Sequence, residues 1–237
     1  MCDDAEQVYF AVTMKLHFHP ASTTSRPIVF FCAENNIPLD LTVVDLMTGE
    51  HYKPPFATLN PNSQVPVLED GDFVLTEVSS ILKYLADKHD SVAYPRDLKK
   101  RARVNEVMDW FNTNLLRDWA YNLIYPQVFP QHKRPTDDVQ QGVLNWGKEK
   151  AERWLGLLDQ HMIGSKKFLA GDEITIADYF GAQVLSAGDL IGANLAKYPN
   201  IDRYMKSMRA LPSWKKTNEV IDGFAASLKD KPFTTIK

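Results

Sequence analysis

The sequence predicts an α/β domain followed by an all-α domain. Three observations carry that prediction. Short apolar runs of strand length alternate with helical patterns up to residue 90, a proline-containing polar stretch comes next, and beyond it every periodic segment is helical. At 237 residues, 44% of them hydrophobic, the chain is long enough to bury a core in each domain.

"MKLHFH" (14–19) reads as the first strand, "SRPIVFFCAENN" as a short helix and "LDLTVVDL" (39–46) as the second strand. "VPVLEDGDFVL" (65–75) reads as a hairpin turning at Asp70-Gly71, and "EVSSILKYLADKH" (77–89) sets Ile81, Leu82, Tyr84 and Leu85 at helical spacing. Pro95 and its polar neighbours in "DSVAYPRD" mark the boundary, so residues 14–90 form the α/β domain, 91–97 a linker and 98–228 the helical domain. Residues 1–13 precede the recognisable domain as an extension, expected to be disordered. In the second half, one long amphipathic helix is expected to end before Pro126, a second to span 137–162, and shorter ones to end at Pro199 and Pro212. Thr175 followed three residues later by Asp178 is a capping box with Asp in the acidic position.

Composition excludes several function classes. With 27 basic and 30 acidic residues interspersed to a formal net charge of −3, no block of like charge tracks a phosphate backbone, and a nucleic-acid partner is not expected. The longest apolar runs fall far short of the roughly 18–20 residues a membrane span needs, and the acidic N-terminus lacks a basic leader region. A cytosolic protein without a membrane partner is the expectation. The cysteines, Cys2 and Cys32, make neither a disulfide framework nor a thiolate metal site. His17 and His19 share one face of the first strand, but two ligands do not make a zinc site, and no metal is expected.

The stretch "HPASTTSRP" places Ser22, Thr23, Thr24 and Ser25 before the first helix. Hydroxyls there supply an N-cap, or one of them donates to an anion held at the positive end of the helix. Farther on, Pro66 begins a strand, where a missing N–H costs no ladder bond. A cis Val65-Pro66 bond would turn the Val65 backbone outward, leaving its N–H and C=O for an extended ligand. Glu77, Val78 and Ser79 then form a second polar helix N-terminus.

"HPASTTSRP", "NPNSQVPVLEDGDFVLTE" and "FLAGDEITIADY", in that order and with a long helical second half, resemble the cytosolic glutathione S-transferases. The resemblance runs from about residue 14 to about residue 222, and "GEH" (49–51) and "RARVNEVMDWFNTNLL" (101–116) bring it closest to theta/delta-like members with a catalytic serine. It implies a thioredoxin-like N-terminal domain, a homodimer, and conjugation of the glutathione thiolate to small hydrophobic electrophiles, with glutathione peroxidase activity as a second capacity. Glutathione is then a co-substrate and no other cofactor is implied. Carried over by position, Ser22 is the serine that hydrogen-bonds the sulfur. His51 and Lys53 meet the glycine carboxylate. Gln64, Val65 and Pro66 form the loop whose backbone pairs with the cysteinyl amide, and Glu77 meets the γ-glutamyl amino group. The electrophile is expected against Trp110, Leu115, Trp119, Tyr121 and Phe129. Val78 stands where the family has serine, which removes a hydrogen bond to a charged group worth roughly 1.5–3 kcal/mol; Ser79 and Ser80 are the candidate substitutes. That departure motivates an alternative, a non-catalytic glutathione-binding or interaction module on the same fold.

Overall fold

The computed structural model describes residues 14–237; the extension expected at 1–13 lies outside the described residues. Four strands, β1 (Lys15–Phe18), β2 (Asp40–Val43), β3 (Val67–Asp70) and β4 (Phe73–Thr76), form one sheet in the order β2-β1-β3-β4. The β1–β2 pair is parallel, connected through α1 (Arg26–Glu34), whereas β3 runs antiparallel to both β1 and β4. Helix α3 (Val78–Lys88) completes this thioredoxin-like half. A one-turn helix, α2 (Phe56–Leu59), precedes β3. Successive residues point to opposite faces. Thus Leu68 joins the main core while its neighbour Val67 packs with Val44, Phe56 and Val65 in a small second cluster on the other face.

The hairpin turns at Gly71-Asp72, one residue beyond the expected Asp70-Gly71, because Asp70 still pairs with Phe73; Gly71 takes φ 65°, where a side chain would be strained. Segment 91–97 is a packed connection: Ala93 and Tyr94 are buried, and the Ala93 carbonyl accepts the Ile176 N–H.

The helical half departs from expectation in two places. The first long helix does not stop before Pro126. Helix α4 (Leu98–Trp110) runs into a wider, π-type stretch (Phe111–Ile124) and on into α5 (Tyr125–Val128), which carries Pro126 in its first turn. A turn with π-type bonding already leaves the usual i→i−4 pattern, so proline breaks less there. Pro199, expected to end a helix, instead opens α8 (Pro199–Arg209), where its missing N–H is one of the donors no helix satisfies. Helix α6 (Asp137–Leu157) continues as a π-type turn to Ile163, matching the span 137–162. Gly147 on α6 allows its backbone to press against Asn122, where a Cβ would lie 2.7 Å from a carbonyl carbon.

The capping box opens α7 (Ile176–Ser186) in both its bonds. Asp178 accepts the Thr175 N–H at 2.7 Å and also the Leu169 N–H at 2.8 Å; its complete burial pushes the carboxyl up to about 6 against these bonds. Helix α9 (Trp214–Leu228) packs on α1, and the segment after it docks back on the helical half, which no local pattern announces. Gln127 exchanges two hydrogen bonds with the Thr234 backbone, and Ile236 is fully buried. A single hydrophobic cluster extends from Met14 to Ile236 across both halves. No helix among the described residues is long and apolar enough to cross a membrane.

Candidate active site

The two halves meet around a cavity of about 290 Å³. Its polar wall is made from the ends of strands and the starts of helices. After β1 the chain turns back through 19–25, and Ser22 stands at the bend on the cavity wall. The Ser22 Oγ accepts the N–H of Thr24 at 3.3 Å and of Ser25 at 3.2 Å, and lies 3.2 Å from the Thr24 hydroxyl. Thr24 gives its one proton to the Val65 carbonyl at 3.3 Å, so Ser22 is the donor in the Ser22–Thr24 contact. Oxygen lone pairs thus hold the turn, and the Ser22 proton is the mobile element that a stronger acceptor in the cavity can draw away.

The row of hydroxyls resolves differently from the simple cap. Ser25 occupies the N-cap of α1 with no side-chain cap bond, and its buried hydroxyl has no partner among the described residues. The Thr23 hydroxyl faces Tyr125 of the helical half, and Thr24 pins the Val65 loop. The four hydroxyls therefore divide: Ser22 bonds within the turn, Thr24 ties the Val65 loop to it, Thr23 faces the helical half, and Ser25 is unpartnered among the described residues. His19 also lines the cavity, its Nδ1 accepting the Ala21 N–H, whereas His17 pairs with Glu69 at 2.6 Å. The two histidines share no ligand, and among the described residues no group of three His, Cys, Asp or Glu is placed to hold a metal ion.

The Val65-Pro66 bond is cis, and Val65, Pro66 and Gln64 line the cavity. The expectation of a wholly free Val65 backbone needs correcting: its carbonyl already accepts from Thr24, one lone pair remaining for a ligand. Asn60 holds the loop from behind by donating to the Gln64 carbonyl at 2.7 Å. Glu77 sits at φ 68°, ψ 120°, a backbone conformation costly for a side-chain-bearing residue and concentrated at functional sites. It sets the first N–H groups of α3 at the cavity edge. Val78 lines the cavity and is 3% exposed. Ser79 is not on the wall: its hydroxyl accepts from Asn112 of the helical half at 3.4 Å, and Ser80 is exposed. His51 is on the wall, stacked on Tyr52 at 3.9 Å, its Nδ1 buried without a partner among the described residues and its pKa lowered by desolvation. Lys53 is exposed and off the wall.

The apolar wall comes from the π-type stretch and α5. Of the five residues expected there, Tyr121 and Phe129 are on it; Trp110, Leu115 and Trp119 are not. Leu115 and Trp119 are fully buried in the core, and the Trp119 indole donates to the Val184 carbonyl at 3.1 Å. Gly188 gives that indole its room, since a Cβ there would lie 2.3 Å from the ring. Trp110 packs edge-on against Phe111 and Trp154. Asn112, Leu116, Tyr125, Gln131 and His132 also line this wall, and no sequence signal marked them. The recurrence of wall residues at 112, 116, 121, 125 and 129 is a four-to-five-residue period, which a 3.6-residue template misses. Tyr121, Tyr125 and Phe129 stack edge-on in sequence with ring centroids 5.0 and 5.4 Å apart. Burial pushes both tyrosine phenols above their ordinary range, so both stay protonated donors at neutral pH.

Behind the Ser22 turn, Arg26 is 1% exposed and reaches into the helical half. Its guanidinium donates to the Gln183 side chain, to Ser186 at 3.1 Å and to Asn218. All three acceptors are neutral, and burial lowers its pKa to about 10. Cys32, pushed up to about 12 by burial, is a small core residue and not a nucleophile.

The chain matches the family models described as glutathione S-transferase N-terminal domain over residues 21–88 and C-terminal domain over residues 125–212. Human glutathione S-transferase theta-1 is 36% identical over 167 residues, 70% of this chain and 69% of that one. Human glutathione S-transferase theta-2 is 35% identical over 191 residues, 77% and 74% of the two chains. Among solved structures, human theta-2 in complex with glutathione superposes with a TM-score of 0.81 at 28% identity, covering 94% of this chain and 93% of that chain. A delta-class enzyme from Nilaparvata lugens gives 0.76 at 30% identity over 91% and 98%.

Proposed function

This chain belongs to the glutathione S-transferase family, and from that premise we propose that its cavity transfers the glutathione thiolate to small hydrophobic electrophiles. The observation that carries the reading is convergence: Ser22, Val65 and Glu77 face Tyr121, Tyr125 and Phe129 across one cavity. The polar wall suits a peptide ligand and the aromatic wall an apolar reactant. Glutathione's thiol, with a pKa of about 8.5, is only a few per cent ionised at neutral pH, and the thiolate is the nucleophile. Lowering that pKa by about two units takes roughly 2.7 kcal/mol of preferential interaction with the anion. One charge-assisted hydrogen bond supplies about 1.5–3 kcal/mol, and the positive end of α1 adds about 0.3–1 kcal/mol. Ser22 acts in this reading as donor to sulfur, trading its 3.2 Å contact with Thr24 for a charged acceptor. The γ-glutamyl end lies at the α3 N-terminus beside Glu77, the cysteinyl amide along Val65, and the glycine carboxylate toward His51.

Val78 leaves the α3 N–H groups in place but offers no hydroxyl, and Ser79 is turned to Asn112. Glutathione therefore binds roughly 10–100-fold more weakly than with a serine at this position. The non-catalytic alternative has no support among the relatives, which carry the name of transferases. Glutathione peroxidase activity, a cytosolic setting rich in reduced glutathione, and the absence of any further cofactor belong to the same proposal. So does a homodimer, which the exposed apolar Phe73 and Val74 on the edge strand β4 favour. Sedimentation of the purified protein at two concentrations tests the dimer. Conjugation assays with benzyl chloride, alongside calorimetric titration with glutathione, test the activity. Heat and turnover together are expected; heat without turnover on any electrophile tried selects the non-catalytic module.

A further inference from the structure

We propose that His132 determines specificity on the electrophile side of the cavity, donating an imidazole N–H to the acceptor oxygen of a flat α,β-unsaturated carbonyl compound held by Tyr121, Tyr125 and Phe129. The inference rests on the transferase reading and names the reactant class for it. His132 ends the turn Pro130–His132 that follows α5, and its ring lines the cavity. Three aromatic rings frame it, with centroids at 5.3 Å for Tyr125, 5.9 Å for Tyr121 and 6.3 Å for Phe129. Of the other polar groups on this wall, Asn112 donates to Ser79 and the Tyr125 phenol faces Thr23, which leaves the half-buried imidazole, the Tyr121 phenol and the exposed Gln131 as polar groups for a reactant. His17 and His19 are committed to Glu69 and to the Ala21 N–H, whereas no hydrogen bond to a described residue enters the protonation balance of His132.

Desolvation and the nearby Arg134 charge lower its pKa, and the other titratable groups against it, Tyr121 and Tyr125, are held neutral by burial. At neutral pH the ring is therefore uncharged, with one N–H donor and one acceptor. A neutral imidazole donor is suited to an oxygen that becomes negative during reaction. In conjugate addition the sulfur lone pair forms the C–S bond at the β-carbon. The C=C π pair shifts to leave an enolate whose charge rests on the carbonyl oxygen. A water molecule then protonates the α-carbon, and the hydroxide left is neutralised by the proton released when the thiol ionised. A donor at the oxygen binds the enolate more tightly than the ground-state carbonyl and lowers the barrier. Displacement of halide from an sp³ carbon creates no such oxygen and gains nothing from His132.

The test compares kcat/KM for 4-phenylbut-3-en-2-one with kcat/KM for benzyl chloride, at saturating glutathione, in the unaltered protein, in His132→Phe and in His132→Gln. Phenylalanine keeps the aromatic packing without a donor; glutamine keeps an N–H. The enone-to-halide ratio is expected to fall roughly 10–100-fold in His132→Phe, with a substantial part regained in His132→Gln. A ratio that stays within about twofold in His132→Phe, or falls equally in both variants, overturns the inference while the transferase reading stands. No turnover of either electrophile by the unaltered protein overturns both.

Discussion

The two walls of the cavity are built by different means. The polar wall uses backbone: the Ser22 turn, the cis Val65-Pro66 bond and the positive-φ Glu77 each fix an N–H or C=O at the end of a regular element. The aromatic wall uses side chains displayed along one continuous helical run, and which of them reach the cavity depends on the pitch of that run. Trp119 and Tyr121 make the point. They lie two residues apart; one is fully buried under Gly188, the other is part of the cavity wall. A wall made of backbone is committed by short local motifs, whereas a wall made of side chains is committed only by long-range packing.

The sharpest way to break this comparison is to exchange effects between the neighbours. Trp119→Ala is expected to cost about 3–5 kcal/mol of unfolding free energy in urea titration, as a large core side chain replaced by a cavity does. Tyr121→Leu is expected to change stability by less than about 1 kcal/mol and to alter kcat/KM for aromatic electrophiles. A reversal of that order would put Trp119 in the site. On the polar wall, Ser22→Ala is expected to lower kcat by roughly 10²–10³-fold, the usual cost of one donor to a reacting anion, and to raise the pKa of bound glutathione followed by thiolate absorbance. Unchanged turnover and an unchanged pKa would leave Ser22 as a turn-former alone. Next comes Arg26→Leu, which removes a buried cation but strands the oxygens of Gln183, Ser186 and Asn218. A loss of at least ~2 kcal/mol in denaturant unfolding is expected. The smallest effect is a gain: Val78→Ser should tighten glutathione binding by about tenfold, read by calorimetry. No gain would mean that the α3 N–H groups already satisfy the ligand carboxylate.

Much of the polar wall was legible because its signals are local. Pro66 at a strand start prescribes its loop within a few residues, and away from the cavity Gly71 at a turn and Thr175 with Asp178 at a helix start do the same. The fold followed from the same kind of signal. The aromatic wall was legible in composition but not in identity: "DWFNTNLLRDWAYNLIYPQVF" offers aromatics on every face, and the four-to-five-residue period selects 112, 116, 121, 125 and 129. Proline misled twice, for two different reasons. Pro126 follows a π-type stretch that has already left the usual bonding pattern, and Pro199 falls in a true first turn, where a helix has no bond for the missing N–H to break. The roles of Thr23, Thr24 and Arg26 depend on partners tens to nearly two hundred residues away, Val65, Tyr125 and Asn218 among them, and no spacing rule reaches that far.

Arg26 also bears on how such proteins can be recombined. Two family models recognise the halves separately, yet the guanidinium of one is solvated by the amides and hydroxyl of the other, and Phe30 of the same helix stacks on Tyr179 and Trp214. A chimera that joined this first half to a foreign helical half would inherit a cation with nothing to receive it. To move intact, the unit of exchange has to be redrawn so that the outer face of α1 travels together with α7 and α9.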